Sequence, residues 1–176
     1  QRGDGKPLGD IYGALVIGAN YSELLREGHL VPCRVFRPEK YLGSDQITES
    51  PAESWVRFSG GGRGFAFCGT VRESKELAAD LCARGVKAAN VDGAMSGKAR
   101  AAILERFRSG DLDVLTNVFV LTEGLDVPEA QGVMLAKAPQ HAGTYLQMVG
   151  RVLRPAVGKS YAILIDRHGC SHEHGL

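Results

Sequence analysis

Residues 147–155, QMVGRVLRP, set Arg151 and Arg154 three positions apart in a stretch that otherwise reads as apolar helix and holds no acidic side chain to pair with them. At that spacing two guanidinium groups share one helical face, and the planar fork of arginine matches phosphate oxygens. The pair could therefore grip a single terminal phosphate. The plainer reading is a solvated basic face with Gln147 exposed beside it. Gly150 among apolar neighbours, and Pro155 ending the helix at once, point instead to a packed element held in a fixed place.

A chain that grips phosphate could carry its own phosphate loop, and the nearest match is GAMSGKA, Gly93 to Ala99. A working loop needs four residues between its glycines and a hydroxyl after the lysine, to wrap a phosphate and reach magnesium. Here only three residues intervene and Ala99 has no hydroxyl, so Ser96 is read as the N-cap of the following helix. A second stretch, LTEGLDVPEA at 121–130, offers Gly124 for close backbone approach and Asp126, whose carboxylate can accept from vicinal hydroxyls such as a ribose presents. An ordinary turn with a capping aspartate fits that run equally well.

The elements that must position these residues follow from periodicity. Residues 1 to about 40 read as a lead-in in which YSELLREGHLVP is a short amphipathic helix stopping at Gly28 and LVPCRVFRP is extended. Residues 41–64 carry turn formers with little periodicity and read as a connection. From Phe65 onward, strand-like FAFC, VKAANVDG, DVLTNVF, VMLAKAP and SYAILIDRHG alternate with helical VRESKELAADLCARG, SGKARAAILERFRSGD and AGTYLQMVGRVLR. That alternation predicts an α/β fold, a parallel sheet covered on both faces, with 65–176 as its body and a helix-strand extension before it. In such sheets ligands collect at the carboxyl ends of strands, which directs attention to Thr70, to Asp92 with Gly93, to LTEGLDVP and to PQHAGT.

Composition bounds the partners. The 176 residues hold 21 basic and 20 acidic side chains, a net charge of +1, so any nucleic-acid binding must be local. No apolar run approaches the ~20 residues of a membrane span and no secretory segment opens the chain, so a cytoplasmic protein with no membrane partner is expected. Cys33, Cys68, Cys82 and Cys170 are widely spaced, which suits reduced thiols. The tail DRHGCSHEHGL gathers His168, Cys170, His172 and His174, but one short run cannot easily surround a tetrahedral ion and no Cys-x-x-Cys occurs elsewhere. No metal site is expected there.

Three stretches in order, FAFCGTVRESKELAADL, VDGAMSGKARAAILERFRSGDLDVLTNVFVLTEGLDVPEA and YLQMVGRVLRP, resemble motifs IV, V and VI of the second RecA-like domain of superfamily 2 helicases and translocases, over residues 65–166. The lead-in is similar to the segment after motif III in a DEAD/DEAH-like subgroup of bacterial and phage genomes, related to the restriction-enzyme and repair branch. The resemblance implies a RecA-like sheet. It also implies that ATP with Mg2+ binds between this domain and a first RecA-like domain that supplies the phosphate loop and the magnesium-binding acid. Arg151 and Arg154 would then reach the γ-phosphate as arginine fingers and Gln147 would help orient the site. Gly124 and Asp126 would face the nucleotide, Asp126 toward the ribose, and Glu123 would couple the domains. Opposite that edge, Thr70, Arg72, Gly93, Arg100, Thr116 and Asn117 would meet the backbone of a nucleic-acid strand.

Two departures bear on the substrate. Glu123 stands where DEAD-box members carry arginine, and Gln147 replaces the histidine that opens their motif VI. Both favour the DNA-directed branch. The expectation is a motor half that turns over no ATP alone; the alternative is a non-catalytic nucleic-acid or protein interaction module that has kept the fold.

Overall fold

The structure is a computed structural model that describes residues 19–37, 49–118 and 126–175. Its elements are α1 (Tyr21–Arg26), β1 (Cys33–Phe36), α2 (Pro51–Phe58), β2 (Gly64–Phe67), α3 (Val71–Ala83), β3 (Ala88–Val91), α4 (Gly97–Ser109), β4 (Val114–Asn117), β5 (Gly132–Leu135), α5 (Ala142–Leu153), β6 (Ala162–Asp166) and α6 (Cys170–His174). The strands form a single six-stranded sheet in the order β1-β6-β5-β2-β4-β3, every neighbouring pair parallel. This is the RecA-like α/β arrangement that the sequence predicts, with β1 of the lead-in extending one edge through its pairing with β6.

Strand residues alternate between two cores, as a sheet covered on both sides requires. Phe65, Phe67, Leu115, Val133, Leu135 and Leu164 face α4 and α5 through Phe107, Tyr145, Met148 and Val152. Ala66, Val114, Met134, Ile163 and Ile165 face α2 and α3 through Trp55, Leu77 and Leu81. Helix ends match the sequence signals. Ser96 caps α4 by accepting from the Ala99 amide, Thr70 and Glu73 form a capping box on α3, and Gly28, Gly85 and Gly110 follow helices with positive φ.

The stretch read as a connection contains a helix. Ser50 and Glu53 cap each other's backbone amides and Pro51 opens the first turn, so α2 starts at a capping box. Its eight residues lie among turn formers, yet they are amphipathic and Ala52 and Trp55 are each 1% exposed. The Trp55 ring lies over the point where β2 and β5 begin. A Cβ on Gly64 would sit 1.8 Å from the Gly132 carbonyl oxygen and 2.9 Å from the indole, so only glycine lets these strands meet under the ring. The tail also folds: α6 begins at Cys170, and Asp166 at the end of β6 accepts from the amides of His168, Cys170 and Ser171.

Candidate functional site

Helix α5 runs back against the strands, so its last turn falls at the amino edge of the sheet. The Val31 amide, just before β1, donates to the Leu153 carbonyl at 2.8 Å. The arginine pair therefore lies away from the carboxyl edge, where the loops after β2 and β3 emerge. Tyr145, Met148, Val149, Val152 and Leu153 are buried, which turns the other face outward. There Leu146, Gln147, Gly150, Arg151 and Arg154 line an open hollow of about 220 Å³. Leu146 and Gly150 also border a larger apolar groove of about 480 Å³ between α5 and α1.

Asp126 reaches the same end of the molecule. The chain leaves β4 at the carboxyl edge and by Asp126–Ala130 it has returned to the start of β5, where Asp126 and Arg154 form an ion pair. The pair is accessible, at 47% exposure for the arginine side chain and 68% for the aspartate. Gln147, Arg151, Arg154 and Asp126 are thus brought to one place. Glu123 and Gly124 lie outside the described residues. Behind Asp126, Val127 and Ala130 are buried, and Lys159 from the turn after α5 donates to the carbonyls of Pro128 and Ala130. Burial pushes the Lys159 ammonium down to about 8, against a smaller upward pull from Glu129. No sequence motif marks this lysine.

The other candidates gather at the opposite, carboxyl edge, in five different conditions. Thr70 is exposed, but its hydroxyl accepts from the Glu73 amide as the cap of α3. Arg72 is exposed and lies 3.7 Å from Glu76 one turn on. Gly93 is exposed, with no described residue within 4 Å of an added Cβ, in a loop held from beneath. Arg100 donates to the carbonyls of Asp92 at 3.2 Å and Gly93 at 3.5 Å, while its Nε is buried without a hydrogen-bond partner among the described residues. Thr116 and Asn117, at the end of β4, are fully buried. The Thr116 hydroxyl donates to the Ser74 carbonyl and the Asn117 amide to that of Ala66.

Asp92 organises the loop around Gly93. It is 3% exposed, accepts from the Asn90 amide group and the Ala94 backbone, each at 2.9 Å, and faces Lys75 at 3.5 Å. The Asn90 bond, with help from Ala94 and Lys75, holds its carboxyl below the ordinary range.

The tail residues disperse. The His168 ring contacts the Ala136 carbonyl at 3.0 Å, Cys170 is buried, and the His174 ring packs against Tyr145. Among the described residues no three His, Cys, Asp or Glu side chains converge as a metal site would need. At the arginine hollow the donor set of two guanidiniums, one amide and one carboxylate already engaged suits anionic oxygens and not a magnesium ion.

Comparisons with known proteins bear on the family and the fold. Residues 51–156, more than half of the chain, match the helicase conserved C-terminal domain family. A "51.5 kDa protein" of Lactococcus phage (isolate 7-9) is 30% identical over 124 residues, which are 70% of this chain and 27% of the phage protein. The ATP-dependent RNA helicase SrmB of Haemophilus influenzae is 28% identical over 106 residues, 60% of this chain and 24% of the relative. The chain thus spans about a quarter of the length of these relatives. Among solved structures, a fragment of an HsdR subunit of a type I restriction enzyme from Vibrio vulnificus superposes with a TM-score of 0.68 at 20% identity. That match covers 86% of this chain and 35% of the other, and it shows the same fold. The match to α2 through α5, the all-parallel sheet and the arginine-bearing end of α5 together make this chain a member of the helicase conserved C-terminal domain family.

Proposed function

We propose that this chain is the second motor domain of an ATP-dependent DNA helicase or translocase, and that Arg151 and Arg154 complete a nucleotide site whose other wall is a first RecA-like domain. The observation that carries the reading is the single hollow where Gln147, Arg151 and Arg154 meet, with Asp126 joined to Arg154 from a segment 28 residues away. A γ-phosphate entering there would draw Arg154 from the carboxylate. The charge developing on the transferring phosphoryl group would then face two guanidiniums, and Asp126 would be released to accept from ribose hydroxyls. ATP is the substrate. Magnesium neutralises its phosphates and would be held by the other domain.

Gly150 supports the docking of such a domain. Glycine in a helix interior costs about 1 kcal/mol relative to alanine, and no atom of the described residues lies within 4 Å of an added Cβ at this position. The described residues give no packing reason for it, and an approaching surface would. Leu146, one turn earlier, is 56% exposed beside it.

At the carboxyl edge Thr70, Arg72, Gly93 and Arg100 would meet a nucleic-acid backbone, with Thr116 and Asn117 shaping that edge from within. Glu123 and Gln147 favour DNA. A second reading, RNA, is favoured by the name of the SrmB relative. The test is ATP hydrolysis by the longer protein carrying this chain, with single-stranded DNA or RNA of equal length added. Stronger stimulation by DNA supports the proposal; stimulation by RNA alone replaces it with the second reading. No ATPase under either condition, with no phosphate loop encoded upstream, leaves the non-catalytic interaction module.

A further inference from the structure

Among the described residues, the segment that carries Asp126 and the turn that follows α5 are joined by two side-chain contacts. One joint is the Asp126–Arg154 ion pair, exposed to solvent and free to exchange partners. The other is Lys159, whose Nζ donates to the Pro128 carbonyl at 2.8 Å and the Ala130 carbonyl at 2.6 Å. Lys159 is itself placed by a tight turn, its amide donating to the Ala156 carbonyl at 3.1 Å across Gly158 at φ 79°. The segment it holds is seated on one side by Val127 and Ala130, which are buried and linked by an amide-to-carbonyl bond of 3.0 Å.

These contacts differ in what a nucleotide would do to them. If Arg154 turns to a phosphate, the exposed joint opens, and among the described residues Lys159 is then the polar joint that still ties the 126–130 segment to the turn after α5, beside the packing of Val127 and Ala130. An ammonium on two carbonyls is a charge-assisted contact whose removal would leave both acceptors short of a partner in a half-buried site. Glu129 is the charged side chain of that segment facing the lysine, and its pull is the weaker one.

We propose that Lys159 is a positioning residue of the nucleotide edge, clamping the Pro128–Ala130 backbone so that Asp126 stays in place when Arg154 leaves it. The inference rests on the reading that Asp126 receives the ribose and Arg154 a phosphate. Lys159 touches no substrate. It acts by preforming the carboxylate's position, so its loss weakens nucleotide binding more than the chemical step carried by the arginines.

The experiment is a double-mutant cycle in the full-length protein that carries this chain, using Lys159→Met, Asp126→Asn and the pair. The readouts are KM and kcat for ATP and the dissociation constant of a fluorescent ADP analogue. The expected result is a rise of roughly tenfold in KM and in the ADP constant for Lys159→Met, with kcat within about twofold of the parent. The pair should be no weaker than Asp126→Asn alone, because a clamp that works through Asp126 has nothing left to position. Lys159→Arg, which keeps charge and donors, should recover most of the affinity. Additive losses, or a fall in kcat at unchanged KM, overturn the proposal. Should Lys159→Met fail to fold, Lys159→Gln, which can still donate to one carbonyl, carries the same cycle. The underlying reading fails separately, and takes the clamp with it, if Asp126→Asn alone leaves ADP affinity unchanged.

Discussion

Arg154 and Asp126 are paired across 28 residues of sequence, one at the end of α5 and the other just before β5, both open to solvent. Exposed pairs contribute about 0–1 kcal/mol to stability, so the contact does little to hold the fold together. Arg154→Ala in this chain should change the urea unfolding free energy by less than about 1 kcal/mol, measured by far-UV circular dichroism. A loss of several kcal/mol would make Arg154 a structural residue and remove it from the nucleotide site.

Asp166 gives the chain a pH-dependent anchor. Burial pushes its carboxyl up, but the Ser171 hydroxyl at 2.6 Å and the amides of Ser171, Cys170 and His168 outweigh burial and hold it below the ordinary range. A carboxylate lowered in the folded state contributes stability above its unfolded value, about 3.9, and that contribution is lost as pH falls through the folded value. Denaturation midpoints should therefore drop on acidification below about pH 4. Asp166→Asn should cost about 2–3 kcal/mol at neutral pH and flatten the acid limb, as titration of urea midpoints would reveal.

Trp55 and Gly64 form one packing unit at the start of β2. Trp55→Ala should cost about 3–5 kcal/mol by the cavity it leaves. Gly64→Ala should cost about 1–3 kcal/mol, because the new methyl meets the Gly132 backbone and not a side chain that can move aside. Thermal denaturation of both variants checks this; a Gly64→Ala protein as stable as its parent would show that the strands can separate there.

Much of this fold is legible in the chain because strand and helix periods are strong wherever elements are long or buried on both faces. β2 and β5 are continuous runs of apolar residues and glycine, β6 is apolar up to Asp166, and α3, α4 and α5 are twelve or thirteen residues with clear stops. α2 is easily passed over because its two turns sit among glycine, serine and proline, although it is amphipathic and Ser50-Pro51 followed by Glu53 is a usable start signal. α6, five residues, has still less to show.

The site divides in the same way. Types and spacing pick out Arg151, Arg154 and Asp126, whose shared location follows from α5 running antiparallel to the strands and from the chain's return to β5. Spacing cannot tell a surface hydroxyl from a buried one, and Thr116 is spent on the Ser74 carbonyl. Lys159 carries no local signal at all. Its partners are backbone carbonyls about thirty residues away, and any sequence would supply those.

The most direct measurement is the ATPase of the full-length protein with Arg151→Ala and Arg154→Ala introduced singly, at saturating nucleic acid. The account predicts that kcat falls by about a hundredfold or more in each while the melting temperature stays near that of the parent. ATPase rates unchanged by both substitutions would contradict it.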